Sequence, residues 1–228
     1  MDTQRIEMLI GKEALTKLSA SRVAVIGLGG VGSYVAEALV RSGVGNIRIV
    51  DGDVVESSNV NRQLPALSTT IGSNKAAVMG ARMWAINPEC NVEKYEAFYE
   101  PGKFHECLEG HWDYIADAID DVKAKVDLLA ACYSAEIPVI SAMGTGNKLD
   151  PTQLKLADIS ETKVCPLAKN VRKLLREQGI TKGIKVVYSE EPSQKLTEGY
   201  TPASMVFVPA SAGLLMASWI VRDIIGRK

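Results

Sequence analysis

Apolar residues along the first two thirds of the chain come in short runs separated by polar turns. Arg22-Val23-Ala24-Val25-Ile26 reads as a buried strand, followed by a glycine cluster and a helix to about Arg41 that Gly43 closes. Asn46 to Val50 predicts a second strand, ending in Asp51-Gly52-Asp53. Ser73 is placed to cap a helix running to Ile86, where Asn87-Pro88 stops it. Residues 92–97, 114–118 and 138–142 predict further strands, with a helix over 122–135 between the last two. Strand and helix in alternation predict an α/β fold, a Rossmann-like, mostly parallel sheet with helices on both faces.

After Gly144 the pattern loosens. Gly144-Thr145-Gly146-Asn147 and Asp150-Pro151 mark turns, residues 154–159 predict a strand, and a helix follows Pro166. The polar stretch 189–202, with Glu190, Glu191 and Glu198, reads as an exposed loop able to close over a site. Pro209 opens a final apolar helix. No repeat or long linker interrupts the chain, so residues 1–228 are read as one domain: an arm (1–20), a core (21–143) and a C-terminal half (144–228) that extends the sheet.

Composition narrows the function classes. Of 228 residues, 46% are hydrophobic and 23% charged, which excludes a disordered chain. Lys and Arg number 26 against 27 Asp and Glu, so net charge gives no general grip on polyanions. The four cysteines form no C-x-x-C pair, which argues against a zinc knuckle or a disulfide framework. Residues 205–225 are apolar but broken by Pro209, Arg222 and Asp223, and the N-terminus has no leader-like run. The expectation is a cytoplasmic protein with no membrane partner.

Gly27-Leu28-Gly29-Gly30-Val31-Gly32 satisfies G-x-G-x-x-G between a strand and a helix. Such a turn brings the backbone close to a phosphate, whose charge the helix N-terminus stabilises. Asp51, 24 residues after Gly27, ends the second strand, where a carboxylate accepts from ribose hydroxyls. The motif by itself does not choose between NAD and ATP. Beyond it come Asn59, Arg62, Gln63 and Lys75, polar groups suited to phosphate, and a nicotinamide site needs no second cationic set. Each taken singly is also explained as solvated surface. Asp117, Asp120 and Asp121 follow the strand at 114–118; one of them can hold Mg2+, and Asp120 or Asp121 can instead cap the next helix.

Together these pieces resemble the ThiF/MoeB/HesA family, bacterial relatives of the ubiquitin-activating (E1) enzymes. The matching stretches are G-L-G-G-V-G-S (27–33), D-G-D (51–53), N-V-N-R-Q (59–63), Lys75, D-A-I-D (117–120) and an N-terminal Q-R-I-E-M-L-I-G (4–11), covering most of the chain. The resemblance implies an E1-like homodimer that uses ATP to adenylate a carboxylate. It places Gly27, Gly29, Gly30 and Gly32 at the phosphates and Asp51 with Asp53 at the nucleotide. Asn59, Arg62, Gln63 and Lys75 then contact the triphosphate, Asp120 ligates Mg2+, and Arg5 enters the partner subunit's site as an arginine finger. Without the resemblance, Arg5 reads as a surface arginine on a short first helix.

The chain lacks the C-x-x-C knuckles and rhodanese extension common in members that activate sulfur carriers. Asn-Pro-Glu-Cys (87–90), Asp-Pro-Thr-Gln (150–153) and Pro-Leu-Ala-Lys (166–169) are similar to the tRNA threonylcarbamoyladenosine dehydratase (TcdA-like) subgroup. That implies a tRNA substrate whose threonyl carboxylate is adenylated and then cyclised. A tRNA contact also has a local signal: residues 163–185 hold seven bases and one acid, a +6 stretch in a chain of net −1. Lys169, Arg172, Lys173 and Arg176 fall at i, i+3, i+4 and i+7, one helical face, which is equally the pattern of a solvated amphipathic helix. Cys165, at that helix's start, is either a thiol for acyl transfer or a small buried hydrophobe, and ring closure within one substrate needs no thioester. The alternatives are an adenylyltransferase for a ubiquitin-like sulfur carrier, an NAD-dependent oxidoreductase, and a nucleotide-binding scaffold without catalysis. Whether a cysteine-desulfurase or sulfur-relay partner works alongside stays open.

Overall fold

The computed structural model describes residues 1–194 and 202–227. Two short helices, α1 (Gln4–Ile10) and α2 (Lys12–Ala20), lead into the repeating part. There β1 (Arg22–Ile26), α3 (Gly32–Arg41), β2 (Asn46–Val50), α4 (Lys75–Ile86), β3 (Asn91–Tyr95), α5 (Phe104–Cys107), β4 (Tyr114–Asp117), α6 (Val122–Ser134) and β5 (Val139–Ala142) follow in order. The C-terminal part adds β6 (Leu154–Asp158), α7 (Pro166–Glu177), β7 (Lys185–Ser189) and α8 (Phe207–Ile224).

All seven strands form one sheet in the order β3-β2-β1-β4-β5-β7-β6. Every neighbouring pair is parallel except β6 with β7, so the C-terminal half extends the sheet as expected and ends it in an antiparallel edge. The pleat sorts the core residues: Val23 and Val25 face α3, α4 and α8, while Ala24 and Ile26 face α5, α6 and α7. Both faces are covered, which is why the strands read as continuous apolar runs instead of alternating ones. The strand order reverses between β1 and β4, so the loops beyond their carboxyl ends diverge and leave a crevice.

Four sequence expectations shift. Asn74, not Ser73, caps α4, its Oδ1 accepting from the Ala77 amide at 3.0 Å, while the Ser73 carbonyl already accepts from Val55. The final helix begins at Phe207, which puts Pro209 inside the first turn, where its missing N–H costs no helical bond. The strand Lys185–Ser189 was not expected: its apolar core is three residues long and follows directly on the basic stretch. Of the expected loop at 189–202, Ser189 instead ends β7 and is buried, and residues 195–201 lie outside the described residues. Helix α8 is long and apolar enough to span a bilayer by length and composition, but its Val208, Ala212, Met216 and Ile220 stripe packs into the core.

Candidate active site

A cleft of about 880 Å3 opens at the carboxyl ends of β1, β2, β4 and β5. Its floor is the turn after β1. Gly27 has φ of +90°, a value that a side chain strains, and a Cβ there would lie 2.7 Å from the Ala118 carbonyl. The amides of Gly29, Gly30 and Val31 make no hydrogen bond among the described residues, so this turn offers free donors ahead of α3. Gly32 does not face the cleft: a Cβ on it would overlap the Gly27 carbonyl at 1.8 Å. That close approach lets the helix pack onto the turn.

Asp51 stands at the end of β2 and lines the cleft. Its two oxygens accept from the Leu28 amide at 2.6 Å and the Asp53 amide at 2.8 Å, tying the glycine turn to the β2 loop. Burial pushes its carboxyl above the ordinary range, against the pull of these amides and the Lys75 charge. The Lys75 side chain opens α4 and is only 6% exposed, with Nζ 2.8 Å from Asp53, itself 52% exposed.

Asn59, Arg62 and Gln63 follow β2 on the same wall. Asn59 closes its own turn, accepting from the Glu56 amide and donating to the Ser58 hydroxyl. One Arg62 nitrogen donates to the Ser58 carbonyl and to Asn61 Oδ1. Gln63 is buried, yet its Oε1 has no partner among the described residues, so this side chain is unspent at the cleft wall.

The three aspartates after β4 separate into three roles. Asp117 is fully buried and pairs with Lys125 at 2.6 Å, so it cannot hold a metal in the cleft. Asp121 caps α6, accepting from the Ala124 amide at 2.8 Å. Asp120 is exposed on the cleft wall and has no hydrogen-bond or ion-pair partner among the described residues. Asp121 also lines the cleft, but of the three only Asp120 has both oxygens unengaged among the described residues, the state a hard cation needs in a ligand.

Two expected groups lie elsewhere. Arg5 is on α1 and does not line this chain's cleft. Lys169, Arg172, Lys173 and Arg176 border a separate groove of about 610 Å3 along α7. Lys169, Lys173 and Arg176 are exposed there, whereas Arg172 turns one guanidinium nitrogen onto the Thr162 hydroxyl and carbonyl and is in part a structural tie. Cys165 is buried, 3% exposed, which agrees with the small-hydrophobe reading.

The ThiF family profile matches residues 2–228, nearly the whole chain. The chain belongs to the ThiF family. It is 44% identical to a tRNA threonylcarbamoyladenosine dehydratase of Bacillus subtilis, covering 97% of this chain and 93% of that protein. The crystal structure of the Escherichia coli tRNA N6-threonylcarbamoyladenosine dehydratase, TcdA, with AMP superposes with a TM-score of 0.94 at 33% identity, over 98% of this chain and 94% of that one. The same enzyme with ATP gives 0.91 at 33% identity, over 98% and 93%. The Rossmann-like, E1-like architecture expected from the residues is the one observed.

In this ThiF-family cleft, several lining residues had no sequence signal of their own. Phe98, Tyr99 and Pro101 follow β3, Ile119 follows β4, and Met143 to Gly146 follow β5. Their common signal is position, since each begins within a few residues of a strand's carboxyl end on the open side of the sheet. Phe98 is more than half exposed and lies against Gly52, so the cleft has an aromatic wall beside Asp51.

Proposed function

We propose that this protein is an ATP-dependent dehydratase acting on N6-threonylcarbamoyladenosine in tRNA, as a homodimer in the cytoplasm where that tRNA is found. The observation that carries the reading is the convergence of free turn amides, Asp51, Arg62, Gln63, Lys75 and Asp120 on one cleft, which is a triphosphate site more than a nicotinamide site.

Residues 1–228 act as one adenylation unit. The amides of Gly29 to Val31 and the side chains of Arg62, Gln63 and Lys75 hold the phosphates, and Asp51 holds the ribose. Asp120 would hold Mg2+, which when bound supplies positive charge against the phosphates. A threonyl carboxylate oxygen attacks the α-phosphorus, and the bond to the β-phosphate oxygen breaks as pyrophosphate leaves. The carbamoyl group of the same nucleoside then attacks the acyl carbon. The acyl–oxygen bond breaks, AMP departs with the former carboxylate oxygen, a carbamoyl N–H gives up its proton to solvent, and a ring closes. Positive groups aimed at the phosphate lower the first barrier by opposing the charge that builds on it.

Helix α1 buries no residue and bares Met8 at 81% and Leu9 at 78% exposure, an apolar face that a second copy would cover while carrying Arg5 to its neighbour's cleft. The basic groove along α7 supplies a phosphate-backbone contact for the tRNA, through Lys169, Lys173 and Arg176. The test is mass spectrometry of nucleosides from threonylcarbamoyl-modified tRNA after incubation with ATP and the protein. The cyclised nucleoside, formed with stoichiometric AMP, is expected. AMP release driven by a ubiquitin-like protein and not by that tRNA would favour the sulfur-carrier adenylyltransferase instead.

A further inference from the structure

Behind the cleft lies a charged cluster that the proposed chemistry does not use. Lys125 and Asp117 are both fully buried, and Ser141 beside them is too. Lys125 Nζ donates to Asp117 Oδ2 at 2.6 Å, Ser141 Oγ at 3.2 Å and the Ala142 carbonyl at 3.0 Å, which satisfies all three of its protons. Ser141 Oγ donates to Asp117 Oδ2 at 2.5 Å, and Asp117 Oδ1 accepts from the Ile119 amide at 3.0 Å. Asp117 and Ser141 are register partners on β4 and β5.

The cluster therefore holds the roots of both loops that form one side of the cleft. Ile119 leads directly into Asp120, and Ala142 leads into Met143, Gly144, Thr145 and Gly146, all of which line the cleft. A buried ion pair is a poor source of stability, because desolvation offsets its attraction and an apolar pair of like volume often serves as well. What it provides that an apolar pair does not is direction: three donors on one nitrogen fix a carbonyl, a hydroxyl and a carboxylate at once.

We propose that Lys125 is a positioning residue: through Asp117, Ser141 and Ala142 it fixes the Ile119–Asp120 loop against the Met143–Gly146 loop, and so sets the spacing between the nucleotide end of the cleft and the end that receives the carboxylate. In its catalytic consequence it rests on the function proposed above; in its structural consequence it does not.

The experiment uses the full chain with Asp117→Leu and Lys125→Met combined, which removes both charges together, so that no buried charge is left unpaired, and releases the Ser141 hydroxyl, the Ala142 carbonyl and the Ile119 amide from the cluster. Hydrogen exchange is expected to rise together at 118–121 and 142–146, with ATP binding kept within about threefold. With the modified tRNA, kcat for AMP release is expected to fall at least tenfold while KM for ATP moves less than threefold. Unchanged exchange at either loop, or an unchanged kcat, overturns the proposal. If the double variant does not fold, Ser141→Ala leaves the ion pair in place and is read the same way, with a threefold fall in kcat expected and an unchanged rate and exchange overturning it. A parent protein that releases no AMP with this tRNA would count against the proposed function, while the exchange data still decide the positioning role.

Discussion

Lys75 spends its charge on Asp53: the ammonium at the start of α4 and the carboxylate three residues after β2 stand 2.8 Å apart, the lysine buried and the aspartate half in water. The pair holds Lys75 extended along the cleft wall, and a phosphate arriving there meets a cation already in place. Replacing Lys75 with Ala is expected to lower AMP formation about 100-fold, the scale seen when one preorganised donor is removed from a charge-developing site. Quenched-flow measurement of AMP release checks it; a loss under fivefold would remove Lys75 from the phosphate contacts.

Asp120 has no partner to lose, so Asp120→Asn is expected to leave thermal stability within about 0.5 kcal/mol. Activity should fall at least 100-fold, and the Mg2+ concentration giving half-maximal rate should rise. A parental Mg2+ titration in the variant would assign the cation to another group.

The glycines separate stability from binding. At Gly29 the nearest atom to an added Cβ is Gln63 Nε2 at 3.8 Å, so Gly29→Ala folds like the parent and weakens ATP binding. At Gly32 the added atom would overlap the Gly27 carbonyl, and Gly32→Ala is expected to cost about 2 kcal/mol or more. Urea unfolding with and without ATP distinguishes the two.

An arginine delivered between subunits makes a complementation prediction. Arg5→Ala and Lys75→Ala are each expected to be nearly inactive, and mixed subunits should regain about a quarter of parental activity, because half the dimers then hold one intact site. No recovery after subunit exchange, confirmed by mass, would place Arg5 outside the site.

Acid stability should track Glu93, between Arg22 and Arg48 at the far end of the sheet. Burial pushes its carboxyl up, but hydrogen bonding to Arg48 and the charges of both arginines more than offset this and hold it below the ordinary glutamate value of 4.5. Its stabilisation is therefore fully present above pH 4.5 and is lost as pH falls through the lowered value. Melting temperatures between pH 7 and pH 3 should fall less steeply for Glu93→Gln than for the parent.

The legible parts of the molecule are those where one local signal decides the outcome. Gly27 to Gly32 between two apolar runs placed the turn, and Asp51 at a strand end placed the carboxylate. Lys125 was harder: in V-K-A-K-V-D-L-L it reads as a solvated lysine, although it shares helical spacing with buried Leu128, Leu129 and Cys132. Its burial depends on Asp117 and Ser141, which only the pairing of β4 with β5 brings alongside. Arg172 shows the opposite case, a residue on the predicted basic face whose guanidinium is drawn to Thr162, a partner no periodicity reveals. Phe98 became visible only once β3 had a place in the sheet.

Helix α7 borders both cavities: Leu167 faces the nucleotide cleft and Arg176 the basic groove. Nine residues at 1.5 Å each put these ends about 14 Å apart on a rigid rod. Under the proposed function that length is the reach from the reacting nucleoside to Arg176, the far end of the groove that Lys169 and Lys173 also line. Under the same proposal a free modified nucleoside reaches the cleft and not the groove, so tRNA is favoured over it without contact to any base.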